Sequence, residues 1–387
     1  MKYWRGYLVA IIFAAISWAL VEFAQAHMVL VDMIYPYVSR MVLTSLADFT
    51  GGMSACLWQV LLIGMILAGI ASIVLLVVLR WNPVQWFGWV LAVISCIAMC
   101  NTVLYELNAY SSPLADDIRL EITDYTVSEL NEATAYFRDQ ANALAKEFAR
   151  DAKGAPDFGK FKELAAQASE GFENLTYEKT ISVFSGSTAP VKKQTWFASK
   201  GNSGVTVPLT GEASVNPRVP KACLPFAMCK EMAHRMGIYS EEDANFAAFL
   251  ACTNHSSPAF RYSAYLMAYH YCYEALASIP TSTAQACAAK TDSGVTDRLR
   301  NDLEDCLDFY GKTKVSRSKK NTDATEATGE EESVVTFSEY THTSDLLASW
   351  YIQEYILPVH REEEVPFDPY DSTQVDLTGI VNANTGG

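Results

Sequence analysis

Hydrophobic positions along this chain follow two regimes. Up to about residue 108 they run together: YLVAIIFAAISWALV over 7–21, an uncharged run over 49–79 centred on LWQVLLIGMILAGIASIVLLVVL, and a third over 81–105. A helix needs roughly 20 apolar residues to cross a hydrocarbon core. The pattern therefore predicts spans at about 6–26, 55–79 and 84–105, the last two joined by the tight turn Arg80, Trp81, Asn82, Pro83.

Beyond residue 108 apolar residues recur at helical spacing instead. Thr126 and Glu129 form a capping box, in which each residue satisfies a free backbone N–H of the first turn, and Leu130, Ala133, Phe137, Ala141, Leu144 and Phe148 follow along one face. GAPD at 154–157 breaks that helix, and a shorter one runs through Phe161 and Leu164. Over 177–222 the runs ISVF, TWFAS and GVTVPLTGEASVN, separated by Gly, Ser and Pro, predict strands or an extended hairpin. Helices resume at 225–236, 240–253, about 260–278, about 292–310 and about 343–357. Residues 312–333 hold one Val among charged and small polar residues and read as a surface loop, and 358–387 as a frayed tail. The expected architecture is an N-terminal membrane domain (1–108) followed by a mainly α, α+β outer domain (109–357) with a small β-hairpin or sheet.

Charge sharpens this division. Residues 1–108 balance Lys2, Arg5, Arg40 and Arg80 against Glu22, Asp32, Asp48 and Glu106. That leaves 25 of the 29 basic and 40 of the 44 acidic residues, and so the whole net charge of −15, to the remainder. Such a surface repels phosphates and argues against nucleic acid as a partner; the partner implied by the first 108 residues is the lipid bilayer. Lys2 and Arg5 hold the N-terminus inside and Arg80 places the hairpin turn inside, so residues 109–387 emerge on the extracytoplasmic side of the plasma membrane. Ala24–Gln25–Ala26 has the look of a signal-peptidase site, but the long core before it and the nearby Trp18 and Glu22 favour an uncleaved anchor. Six cysteines (Cys223, Cys229, Cys252, Cys272, Cys287, Cys306) lie in the outer part, where disulfides are permitted, and spacing does not choose among their pairings.

The candidate chemistry sits in AMCKEMAHRMGIYSEEDANF, residues 227–246. Pro225 suits a first helical position and Gly237 a stop. Between them Lys230 and His234 are four apart on one face, with Glu231 beside the lysine. A zinc peptidase uses this spacing because two imidazoles at i and i+4 converge on one metal while the adjacent Glu takes a proton from the metal-bound water. Here the first imidazole is an ammonium. Taken alone, x-E-x-x-H is weak: Lys230 and Glu231 suit a solvated face, His234 a half-buried imidazole, Ser240 with Asp243 an N-cap, and Glu241 and Glu242 the positive end of a helix.

The longer runs PLTGEASVN (208–216), LPFAMCKEMAHRMGIYSEEDANFAAFLAC (224–252) and SPAFRYSAYLMA (257–268) resemble an uncharacterised family of bacterial membrane proteins, as do YTVSELNEATAYF (125–137) and SDLLASWY (344–351). Its members carry N-terminal spans and an outer gluzincin-like metallopeptidase domain, with a central run close to H-E-M-A-H-x-x-G-x-x-x-E-x-E-A-N-F. The resemblance implies a zincin-like outer fold, Glu231 at the general-base position, His234 as a metal ligand and Glu241 as the third ligand. Two departures stand out: Lys230 replaces the first His, and Asp243 replaces a Glu that is not a ligand. Three readings follow. The domain is a pseudo-enzyme with little or no zinc, retained to bind an envelope protein or peptide; or an active zinc metallopeptidase with an altered ligand set; or a purely structural membrane protein. His255 and His270 are the candidates for a replacement ligand, and Tyr262, Tyr265, Tyr269 and Tyr273 form an aromatic stripe whose ordinary role is core packing.

Overall fold

A computed structural model describes residues 2–175, 183–310, 334–335 and 342–358; the loop expected at 312–333 and the tail beyond 358 lie outside these residues. Four long apolar helices come first: α1 (Arg5–Ala26), α2 (Met28–Gly51), α3 (Leu57–Val78) and α4 (Pro83–Leu104). Each is long and apolar enough to cross a membrane by length and composition. The second, α2, is an element that the apolar runs left unassigned, because Asp32, Pro36, Arg40 and Asp48 interrupt it.

The remaining elements are α5 (Leu114–Ile118), β1 (Tyr125–Thr126), α6 (Val127–Leu144), α7 (Phe161–Gln167), α8 (Glu170–Glu173), β2 (Lys192–Lys193), β3 (Gly204–Val207) and β4 (Glu212–Val215). After them come α9 (Leu224–Arg235), α10 (Glu241–Thr253), α11 (Pro258–Ser278), α12 (Ser282–Ser293), α13 (Asp297–Tyr310), β5 (Val334–Val335) and α14 (Thr343–Tyr351). The capping box of α6 forms as expected: Glu129 N donates to Thr126 Oγ1 at 3.1 Å and Thr126 N to the Glu129 carboxylate at 2.7 Å. The helix expected at about 292–310 starts later, as α13 at Asp297, because the chain turns at Gly294 after α12, a helix that the sequence pattern left unassigned.

The domain after the four apolar helices packs α6, α9, α10, α11 and α14 around one core in which the rings of Phe137, Phe249, Tyr265 and Trp350 meet. Full burial of each such ring contributes on the order of 2–3 kcal/mol. The tyrosine stripe of α11 is part of that packing; Tyr262 and Tyr269 are fully buried. Three strands form a sheet in the order β2-β4-β3, with β2 parallel and β3 antiparallel to β4, so β3 is an edge strand. Of the six outer cysteines, Cys223 and Cys306 are joined in a disulfide that ties the entry of α9 to α13.

The four apolar helices and the domain that follows them are joined by specific polar contacts. α1 and α4 run side by side in the same direction: Gly6 lies against Gly88 near their starts, where a Cβ on Gly6 would come within 2.4 Å of the Gly88 backbone, and Ala24 packs with Leu107 at the other end. α3 runs the opposite way, through the turn at 79–82. Its first turn is held by the Glu212 carboxylate of β4, which accepts from Leu57 N and Trp58 N, both at 2.8 Å. A carboxylate there satisfies two free N–H groups and complements the positive end of the helix dipole. The ends of α1, α3 and α4 that carry Lys2, Arg5 and Arg80 therefore lie together, away from the outer domain.

Candidate functional site

The helix α9 begins with Pro225 in its first turn and ends in a tight cap. Gly237, at φ +93°, donates its N–H to His234 O, and Ile238 donates to Ala233 O. This is the paired bonding of a Schellman motif, and the left-handed residue it needs is cheap only as glycine. The turn sends the chain straight back into α10, whose N-cap Ser240 accepts from Asp243 N at 3.0 Å. Glu241, the first residue of α10, is thereby delivered to the face of α9 that carries Lys230 and His234.

Four side chains converge there. Lys230 Nζ lies 2.8 Å from Glu241 Oε2 and 3.9 Å from Glu231 Oε1. His234 Nε2 lies 3.4 Å from Glu241 Oε1 without meeting hydrogen-bond geometry, and is otherwise a buried nitrogen with no partner. Its Nδ1 is 2.9 Å from Ile238 O, which fixes Nδ1–H as the donor and turns Nε2 into the cluster. The two carboxyl groups are shifted in opposite directions. Burial raises Glu231 above its ordinary range, against the nearby Lys230 and His234. The neighbouring His234 and the charge of Lys230 hold Glu241 down, to about 2. The Glu241 side chain is 64% exposed, which keeps its pairs near the strength of surface ion pairs.

Several residues of the site carried no sequence signal. β3 lies on α9: a Cβ on Gly204 would meet Glu231 Cγ at 2.6 Å, and Thr206 Oγ1 donates to Glu231 O at 2.8 Å and approaches its Oε2 at 3.2 Å. Tyr105, the cap residue of α4, donates to Ile238 O at 3.2 Å and lies 3.2 Å from His234 Nδ1. Tyr310, at the end of α13, has its phenol pushed up by burial and by Glu231. Each reaches the cluster from a segment far away in the chain, so no local motif could reveal it.

Neither replacement histidine belongs to the cluster. His255 uses both nitrogens locally, Nε2 2.9 Å from Gln167 O and Nδ1 accepting from Ser257 N at 2.9 Å. His270 lies on α11 beside Glu274, and burial pulls its imidazole down to about 4. Asp243 is buried and lies 3.4 Å from Leu114 N, the place of a structural residue. A cavity of about 480 Å³ opens on the other side of the 237–243 turn, walled by Asp32, Tyr37 and Arg40 of α2 and by Asp117, Tyr239 and Glu242; none of the four clustered residues lines it. Burial and the nearby Asp32 push Asp117 up to about 6 there, against Arg40.

The donor set does not fit zinc. One imidazole nitrogen and one carboxylate point to a common space, but the Lys230 ammonium lies 2.8 Å from that carboxylate. A protonated amine offers no lone pair and repels a divalent cation. No curated protein and no solved structure matches the chain. A family model, described as a protein of unknown function (DUF3810), matches residues 31–324, about three quarters of the sequence, and the chain belongs to that family.

Proposed function

We propose that this protein is a membrane-anchored, extracytoplasmic domain of zincin-like design in which Lys230 replaces the metal charge, and that it binds an extended polypeptide without cleaving it. The observation that carries the reading is the Lys230 ammonium between Glu231 and Glu241, beside an imidazole whose Nε2 faces the same space. Two acidic groups brought together by a helix–turn–helix need a cation, and here the chain supplies its own. Without a divalent ion no bound water has its pKa lowered toward neutrality, so Glu231 has no acidic enough water to deprotonate. Binding is what the remaining geometry offers. β3 is a sheet edge lying along α9, its four residues half-exposed, and an extended segment can add to such an edge through main-chain hydrogen bonds.

The topology belongs to the same proposal. α1, α3 and α4 cross the bilayer, with Lys2, Arg5 and Arg80 in the cytoplasm and residues from 109 onward outside. Zinc content by mass spectrometry on purified wild-type and Lys230→His protein tests the site. The wild type should carry less than stoichiometric zinc, and Lys230→His should bind it through the new imidazole, His234 and Glu241. Stoichiometric zinc in the wild type refutes the charge-replacement reading; absence from both proteins refutes the assignment of Glu241 as a ligand.

A further inference from the structure

The helix α2 is long and apolar enough to span, yet its contacts place it along a surface. Its 24 residues extend about 36 Å, and the outer domain or the exit of α4 touches it from one end to the other. Asp32 Oδ1 accepts from Ser112 N at 2.7 Å, Ser39 Oγ donates to Leu104 O at 2.6 Å, Arg40 Nε to Met236 O at 2.9 Å, and Thr50 Oγ1 to Thr210 O at 3.2 Å. Lys192 of β2 donates to the last-turn carbonyl Thr50 O at 3.0 Å, where a cation complements the helix dipole. Its neighbours in sequence agree: α1 ends against Leu107, and α3 starts on Glu212. A crossing helix would carry one of these two ends roughly 30 Å away, to the far leaflet.

The other face of α2 has the opposite character. Val31, Ser39, Leu43, Ala47 and Thr50 are buried toward the protein, whereas Met33, Ile34, Tyr37, Val38, Met41 and Phe49 are exposed. The exposed set recurs at helical spacing; Ser45 and Asp48 share its side of the helix, where Asp48 accepts from Ser187 Oγ at 2.5 Å and residues 185–186 adjoin Tyr37 and Met41. Large apolar groups turned outward, on a helix bonded to the domain along its opposite face and lying between the ends of two spans, match one occupant.

We propose that α2 lies in the outer interface of the bilayer, its apolar face sunk into the acyl boundary and its polar face bonded to the domain, so that three helices cross and the fourth forms a lipid-facing floor. Such helices bury their apolar side about 5–10 Å into the boundary. The floor also walls the cavity beside the 237–243 turn, which brings that cavity within about one helix diameter, ~10 Å, of the lipid.

Depth measurement decides this. Nitroxide is attached at Met33→Cys, Phe49→Cys or, on α3, Met65→Cys in full-length protein reconstituted into phosphatidylcholine vesicles, with Cys96, Cys100 and Cys287 changed to alanine. Collision rates with oxygen and with a water-soluble nickel chelate give the depth. Met33→Cys and Phe49→Cys, separated by about 24 Å along the helix, should both report a shallow position near the same surface, and Met65→Cys a deeper one. Depths for the two α2 sites on opposite leaflets, or either one as deep as Met65→Cys, would show a crossing helix and overturn the proposal. Full access of the nickel chelate to both α2 sites overturns it as well, since the face would then be in water.

Discussion

Replacing Lys230 with methionine keeps the length and apolar stem of the side chain and deletes only the ammonium. Two losses follow. The pair with Glu241 is partly solvated, since that carboxylate is 64% exposed, and its loss costs no more than about 1 kcal/mol. The Glu231 carboxylate is only 3% exposed and loses its nearest cation. It can escape by taking up a proton, and from its ordinary pKa of 4.5 that costs about 3.4 kcal/mol at pH 7, at ~1.4 kcal/mol per unit. This bounds the second loss from above, and the total should fall between about 1 and 4 kcal/mol. In a protein of this size that lowers Tm by roughly 3–10 °C. The sign with pH is definite. A carboxyl whose pKa is raised by folding withdraws stability as pH rises above its unfolded value, and deleting Lys230 raises it further. The deficit of Lys230→Met should therefore open as pH climbs through about 4.5 and shrink to ~1 kcal/mol or less at pH 4. Thermal unfolding of full-length protein in detergent, at pH 4 and pH 7, reads both values, with Lys230→Arg as the charge-retaining control. An unchanged Tm at pH 7, or an equal deficit at the two pH values, refutes the reasoning: the first means the cluster is solvated, the second that the stem matters and the charge does not.

Glu231→Gln should raise Tm at pH 7 and leave it unchanged at pH 4, because it removes a buried charge whose pKa folding has raised; a fall at pH 7 would mean that the carboxylate is net stabilising there. Glu212→Gln removes the charged cap of α3 and should cost about 0.5–2 kcal/mol, read as a lowered Tm of the detergent-solubilised protein. Asp302→Asn breaks an ion pair in which both oxygens of an almost wholly buried carboxylate accept from Arg150 Nη1 at 2.7 Å, and should cost about 3–5 kcal/mol by the same measurement. Alkylating protein taken from cells without reductant should leave Cys223 and Cys306 unmodified, as expected of a disulfide on the oxidising side of the membrane; full modification of both would place the domain on the reducing side.

What could be read from the sequence is what local rules decide. Uninterrupted apolar runs locate α1, α3 and α4, because lipid demands length and hydrophobicity of a span. The capping box sets the start of α6, and Pro225 and Gly237 bracket α9, because caps and left-handed residues act within one turn. The meeting of Lys230 with Glu241 is also nearly local, since a tight glycine turn returns the chain to the face it has just left. The rest needed contacts between distant segments. Hydropathy cannot separate a span from a helix lying at the surface, and α2 is apolar enough for either. Its place is fixed by Ser112, Leu104, Met236 and Thr210, which lie from about 65 to about 200 residues further along the chain. Gly204, Thr206 and Tyr105 join the site for the same kind of reason: β3 must be paired to β4 and laid on α9, and α4 must end beneath the turn, before any of them touches Glu231 or His234. The joining of Cys223 to Cys306 likewise follows from where α9 begins and where α13 packs, which spacing along the chain does not encode.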